Sequence, residues 1–131
     1  MKIFTNGCFD ILHRGHVEYL KASKALGGHL IVGLNSDNSV RRLKGSSRPI
    51  NNEKDRMYLL LELSCVDEVI IFDGDTPYNL IKAIQPDILT KGGDYIKEDI
   101  VGYDIAKETI VIPFTNGYST TEIVRKINDT T

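Results

Sequence analysis

Short apolar runs alternate with amphipathic stretches along the whole chain, and turn-forming residues separate them. Lys2 to Thr5 reads as a strand that ends at Asn6-Gly7. From about Gly15 to Leu26 the apolar positions Val17, Leu20 and Leu26 share a stripe beside small Ala22 and Ala25, the spacing of a helix. Gly27-Gly28 supplies its left-handed stop. His29-Leu30-Ile31-Val32-Gly33-Leu34 is a compact apolar run of the kind buried on both faces of a sheet. The stretch from Asn35 to Asn52 holds too few apolar residues to bury itself, which predicts a surface loop with one short helical turn. Asn52 then caps a helix from Glu53 to about Ser64, with Met57, Leu60, Leu61 and Ser64 near one face.

The second half repeats the alternation. Asp67 to Phe72 is a strand, Asp73-Gly74-Asp75 a turn, and Thr76-Pro77 the start of a helix running to about Ile84, with proline at the first helical position. Pro86 to Thr90 is a short strand, followed by the glycine-broken loop Lys91 to Tyr95. A weakly patterned segment leads to the last strand, Thr109 to Pro113. Ser119-Thr120-Thr121-Glu122 is a capping box opening a final helix to about Asn128. Five strands separated by helices predict an α/β fold, a five-stranded parallel sheet with right-handed crossovers and helices on both faces. Ligands in such folds bind beyond the carboxyl ends of the strands, near the point where strand order reverses. The segments that follow the strands here are Asn6 to His16, the Lys/Arg-bearing loop, Lys91 to Tyr95, and Phe114 to Thr121, so polar and glycine residues gather on one rim.

Composition narrows the function classes. A chain of 131 residues, 41% hydrophobic and 26% charged, is expected to form a single soluble domain over residues 1–131. A formal charge of −2 and a pI near 5.9 argue against a general nucleic-acid partner. Arg41, Arg42, Lys44 and Arg48 still form a local basic cluster, read either as a solvated loop or as a phosphate contact. Cys8 and Cys65 are far apart and belong to no metal or CxxC pattern, which suits a reduced, cytoplasmic setting. No membrane association is expected: Met1 to Thr5 begins no signal peptide, and no apolar run approaches the roughly 20 residues that span a bilayer.

The candidate chemistry lies on the rim. His13 and His16 flank Gly15 immediately before a helix, whose unpaired amides and partial positive charge suit phosphate. Imidazoles at i and i+3 can point to one side of that turn and donate to the same anion, and glycine lets backbone and ligand approach. Zinc would need Asp10 or Cys8 as a further ligand, and a Cys8 nucleophile with a histidine base is a second alternative. Gly117-Tyr118-Ser119-Thr120-Thr121 presents a second helix N-terminus carrying three hydroxyls, although capping alone accounts for Ser119 and Glu122. Lys44, Arg48 and Lys91 can neutralise remaining phosphate charge. Neither a Walker-A pattern nor GxGxxG is present, so kinase and dinucleotide readings lack their glycine loops.

The turn Gly7-Cys8-Phe9-Asp10, the HxGH stretch His13-Arg14-Gly15-His16 and the late Gly117-to-Thr121 motif together resemble the cytidylyltransferase-like nucleotidyltransferase superfamily over essentially the full length. Within it, Arg48-Pro49-Ile50-Asn51, Lys91 to Tyr95, and Pro113-Phe114 through Thr121 are most similar to the D-glycero-β-D-manno-heptose 1-phosphate adenylyltransferases. That family occurs alone or as the C-terminal half of a fused kinase–adenylyltransferase. Glycerol-3-phosphate cytidylyltransferases are similar in size and in the HxGH region. They typically carry an arginine where this chain has Phe114, and they lack its Lys-Gly-Gly-Asp loop.

The resemblance implies a Rossmann-like nucleotidyltransferase fold and a direct displacement. The sugar 1-phosphate attacks the α-phosphorus of ATP, pyrophosphate leaves, and ADP-heptose forms with Mg²⁺ assistance. It implies that His13 and His16 stabilise the transition state, that Lys44 contacts the α-phosphate, and that Ser119 and Thr120 hold the β- and γ-phosphates. Asn6, Gly7, Phe9, Asp10, Gly15, Gly92 and Tyr118 are expected around the nucleotide, with Lys91 and Asp94 lining the nucleotide or sugar pocket. Arg48 and Arg56 are expected as substrate contacts, Arg56 and Asp10 also ordering the site. Mg²⁺ is expected on the nucleotide phosphates, and the assembly is expected to be a homodimer. The alternatives are a CTP-dependent glycerol-3-phosphate cytidylyltransferase and a non-catalytic nucleotide-binding module on the same fold.

Overall fold

The structure, a computed structural model, describes residues 1–113 and 117–130. Its elements are β1 (Lys2–Gly7), α1 (Arg14–Lys24), β2 (His29–Asn35), α2 (Asp37–Lys44), α3 (Glu53–Leu61), β3 (Glu68–Phe72), α4 (Tyr78–Ile84), β4 (Ile88–Gly92), a 3₁₀ turn (Lys97–Asp99), β5 (Glu108–Ile112) and α5 (Thr120–Thr130). All strands are parallel, in the order β3-β2-β1-β4-β5. Sequence order therefore reverses between β1 and β4, and that seam carries the site.

The two-residue period of the strands sorts the core into two layers. On one face Ile3, Leu30, Val32 and Leu34 meet Leu20 of α1 and Leu60 of α3. On the other, Phe4, Ile31 and Leu89 meet Ile81 of α4 and Ile100 from the β4–β5 connection. Gly33 is needed for this packing, because a Cβ there would sit 2.6 Å from the Phe4 ring.

The polar stretch after β2 departs from expectation. It holds an eight-residue helix, α2, rather than a single turn. Its stripe is missing because one buried apolar residue, Val40, docks it, while Ser36 caps it by accepting from the Ser39 amide at 3.1 Å. Element ends also shift. α1 begins at Arg14 with His13 as N-cap, Pro77 is the N-cap of α4 rather than its first residue, and α3 stops at Leu61, which is exposed. The Asn52 cap lies where its side chain predicts, accepting from the Asp55 amide at 2.9 Å. Among the described residues no helix is long and apolar enough to cross a membrane.

Candidate active site

A cavity of about 920 Å³ opens over the carboxyl ends of β1 and β4. That volume lies within the range of small-molecule and cofactor sites. The β1–α1 turn supplies Asn6, Gly7, Phe9, Asp10, His13, Gly15 and His16; α2 and its following loop supply Lys44 and Arg48; β4 supplies Lys91 and Gly92; the approach to α5 supplies Tyr118, Ser119 and Thr120.

The geometry of the first turn determines what the imidazoles can do. His13 is extended, at φ −139° and ψ 176°, and its carbonyl accepts the first helical bond from Val17 at 3.2 Å. Its amide donates to His16 Nδ1 at 3.3 Å. Nδ1 of His16 is thereby an acceptor, which leaves the ring proton on Nε2. The two rings stack at 3.8 Å, and Phe9 sets its ring against His16 at 5.1 Å and 60°. Burial, and then the neighbouring His13, push the pKa of His16 down to about 4; burial lowers that of His13 as well. The uncomplexed site thus presents two neutral imidazoles. His13 Nδ1 is enclosed and makes no hydrogen bond among the described residues.

Glycine is required at two places in this turn. A Cβ on Gly15 would meet His13 Cε1 at 2.9 Å and Tyr118 Cβ at 3.0 Å, so only glycine lets α1 and the approach to α5 come together over the imidazoles. A Cβ on Gly7 would meet the Phe9 ring at 2.8 Å. Phe9 itself sits at φ +46°, a strained conformation that aims its ring back at His16. Across the cavity Ser119 Oγ accepts from the Glu122 amide at 3.0 Å, capping α5, and Thr120 Oγ1 reaches the Ile11 carbonyl at 3.5 Å. Two helix N-termini therefore share one cavity.

A family model described as cytidylyltransferase-like matches residues 4–126. The chain belongs to the cytidylyltransferase-like family. It is a nucleotidyltransferase on a five-stranded parallel α/β sheet. It is 59% identical over 128 residues to a bifunctional protein HldE of Helicobacter pylori, covering 98% of this chain and 28% of that protein. It is 62% identical over 125 residues to the bifunctional protein HldE of a Nitratiruptor species, covering 95% of this chain and 27% of that protein. The chain thus spans little more than a quarter of the length of these relatives. Among solved structures, the lipopolysaccharide core biosynthesis protein from Thermoplasma volcanium is 33% identical with a TM-score of 0.74, covering 88% of this chain and 98% of that one.

In this cytidylyltransferase-like chain the basic side chains fall into different roles. Lys44 ends α2, exposed at the cavity wall. Arg48 is half-buried, 3.7 Å from Asp10. Asp10 is 3% exposed, and its carboxylate is occupied by the amides of Ile50 and Asn51 at 2.9 Å, so it fastens the loop that carries Arg48 rather than meeting a ligand freely. Arg56 corrects the expectation of a substrate contact. Its side chain is fully enclosed and donates to the carbonyls of Cys8, Asn35 and Asn51 and to Asp37 Oδ1, all at 2.8–2.9 Å. It stands outside the cavity wall and ties the exits of β1 and β2 to α2 and the loop. Asp94 is exposed and also lies outside the wall.

Burial raises the pKa of Cys8, which removes the thiolate that a nucleophile needs. Among the described residues no three His, Cys, Asp or Glu side chains converge to hold a metal. Phe114, the position that separated the two substrate branches, lies outside the described residues. The cavity also takes in residues that the sequence reading left out: Asp75 to Pro77 after β3, and Asp99 to Val101 between β4 and β5. The first group follows a strand end, where the rim rule would find it; the second carries no periodic signal at all.

Proposed function

We propose that the chain transfers AMP from ATP to D-glycero-β-D-manno-heptose 1-phosphate, forming ADP-heptose and releasing pyrophosphate. One observation carries this reading: two neutral imidazoles on the N-terminus of α1 share a cavity with the hydroxyl-bearing N-terminus of α5. The names of the HldE relatives and of the lipopolysaccharide core biosynthesis structure support the heptose acceptor.

The chemistry fits the donors present. A phosphate monoester has its second pKa near 6, so it is already a nucleophile at neutral pH and needs no general base. Its oxygen forms a bond to the α-phosphorus, the α–β bridging bond breaks, and the electron pair leaves on pyrophosphate. Charge accumulates on the phosphoryl and bridging oxygens, so the site requires donors and cations. His16 Nε2–H and His13 serve the α- and β-phosphates, Ser119 and Thr120 with the α5 amides serve the β- and γ-phosphates, and Lys44 the α-phosphate. Bound polyphosphate raises both imidazole pKa values, which strengthens the donation. Mg²⁺ is part of the same reading; with no side-chain cluster among the described residues, it would ride on the phosphate oxygens and screen their charge. A cytoplasmic homodimer completes the proposal, and light scattering on the purified protein tests the dimer.

The assay incubates the protein and Mg²⁺ with each NTP and a panel of sugar and polyol phosphates, measuring pyrophosphate. Release with ATP and the heptose 1-phosphate is expected. Release with CTP and glycerol 3-phosphate alone overturns the substrate assignment, and no release with any pair overturns catalysis on this panel.

A further inference from the structure

The fold divides the basic cluster that follows β2. Lys44 and Arg48 reach the cavity. Arg41 turns back along α2 and donates to Asn38 Oδ1 at 2.5 Å. Arg42 stands outside the cavity wall and reaches the β3–α4 turn, Asp73-Gly74-Asp75. Its Nε donates to Asp75 Oδ1 at 2.8 Å and its Nη2 to the Asp73 carbonyl. Arg42 is therefore the member of the cluster that neither faces solvent freely nor meets a ligand.

The turn is tied to α2 at three positions spaced three apart, which lie along one side of a helix. Ser36 Oγ donates to Asp73 Oδ1 at 2.5 Å, Ser39 Oγ donates to the Gly74 carbonyl at 2.8 Å, and Arg42 ends the row. The two serines already hold the backbone of the turn, so what Arg42 adds is charge. Asp75 leads Thr76 and Pro77 into the cavity wall and brings a carboxylate with it. In a site that receives polyphosphate, an uncompensated carboxylate repels the ligand. The side chains of Arg42 and Asp75 are 45% and 66% exposed, and an ion pair so exposed contributes little to stability. Its effect falls on the charge that the wall presents.

We infer that Arg42 is a positioning residue of the nucleotide site, which acts through Asp75: it neutralises that carboxylate and turns it towards α2, so the wall carrying Lys44 meets the phosphates without an opposing charge. Arg42 itself touches no phosphate. The inference rests on the polyphosphate half of the transferase reading above.

Calorimetric binding of α,β-methylene-ATP to Arg42→Gln, Arg42→Lys and the double variant Arg42→Gln/Asp75→Asn tests it. The titrations are run at ionic strengths of about 0.01 M and about 1 M, where charges act over about 30 Å and about 3 Å. At the lower strength Arg42→Gln should bind about fivefold or more weakly than wild type, and at the higher within about twofold of it. Its thermal midpoint should stay at the wild-type value. Arg42→Lys, which keeps the charge, should recover most of the loss. So should the double variant, which has no carboxylate left to neutralise. A double variant as weak as Arg42→Gln overturns the inference, as does a loss that persists undiminished at the higher ionic strength or no loss at all. Pyrophosphate release by the same proteins separates this from the transferase reading. A wild type that binds the analogue without turnover removes that reading and leaves this one to the titrations, whereas a wild type that does not bind it overturns both.

Discussion

His16 is fixed by two neighbours and by burial, each for a separate physical reason. The His13 amide sets its tautomer, the Phe9 edge sets its ring plane, and burial keeps it neutral. Neutrality has a measurable consequence for stability. Its folded pKa of about 4 lies below the ordinary histidine value of 6.5. Between those values the unfolded chain binds the extra proton, so stability is full above about pH 6.5 and falls as pH drops towards 4. His13 shifts in the same direction. Asp67, Asp87 and Glu122 have lowered pKa values and lose their contributions only further into acid, which leaves the window above pH 4.5 to the imidazoles. Urea unfolding at pH 7 and pH 4.5 should show a loss for the wild type that is smaller in His16→Ala. The same substitution should lower turnover by about 10²-fold or more, the effect of losing one transition-state donor. Equal pH slopes in the two proteins would contradict the burial argument, and near-normal turnover would remove the role given to Nε2.

Elements were legible from sequence where burial is periodic or a cap is explicit. The strands alternate Ile3 with Phe4 and Leu30 with Ile31 between the two core layers, and Asn52 announces α3. α2 was hidden because a cap and one buried valine hold it, with no stripe to detect. The segment around Ile100 was hidden because its burial comes from distant partners, Ile81 and Leu89. Arg56 was expected from the resemblance both to contact substrate and to order the site, yet three backbone carbonyls from separate elements take up its guanidinium, which no local pattern announces. The HxGH turn was legible because the Gly7-to-Asp10 turn and the second helix N-terminus at Ser119 stand on the same rim, while its tautomer depends on a contact that only the fold shows. Arg56→Met tests the elemental role. It leaves Asp37 and three carbonyls without a donor, and the stability loss should be about 3–5 kcal/mol in urea unfolding. A loss below about 0.5 kcal/mol, the range of ordinary surface substitutions, would show that the carbonyls find other partners.

At the scale of the whole molecule, the site sits on the sheet's narrowest seam. β1 pairs with β2 through six residue positions, from Lys2 to Gly7, but with β4 through only Ile3 and Phe4. Beyond that short ladder a cluster of hydroxyls joins the halves. Thr5 Oγ1 donates to the Thr90 carbonyl at 3.2 Å, Thr90 Oγ1 meets Tyr19 at 3.1 Å and Ser23 at 3.0 Å, and Tyr19 also bonds Thr5. Tyr19 and Ser23 belong to α1, so the helix that carries the imidazoles is fastened across the seam. Thr90 is fully buried, and Thr90→Val removes its hydroxyl with little change of shape. The substitution should cost about 1–2 kcal/mol of stability, because Tyr19 and Ser23 each lose a buried partner. A ligand that touches both sides of the seam stabilises the folded state by mass action, by about 2.7 kcal/mol at a hundred times its Kd. α,β-Methylene-ATP at that ratio should therefore return Thr90→Val to at least the stability of the unliganded wild type. A variant as stable as wild type would show that the ladder alone holds the seam. One that saturating nucleotide leaves unshifted would show that the hydroxyls shape the site as well as joining its halves.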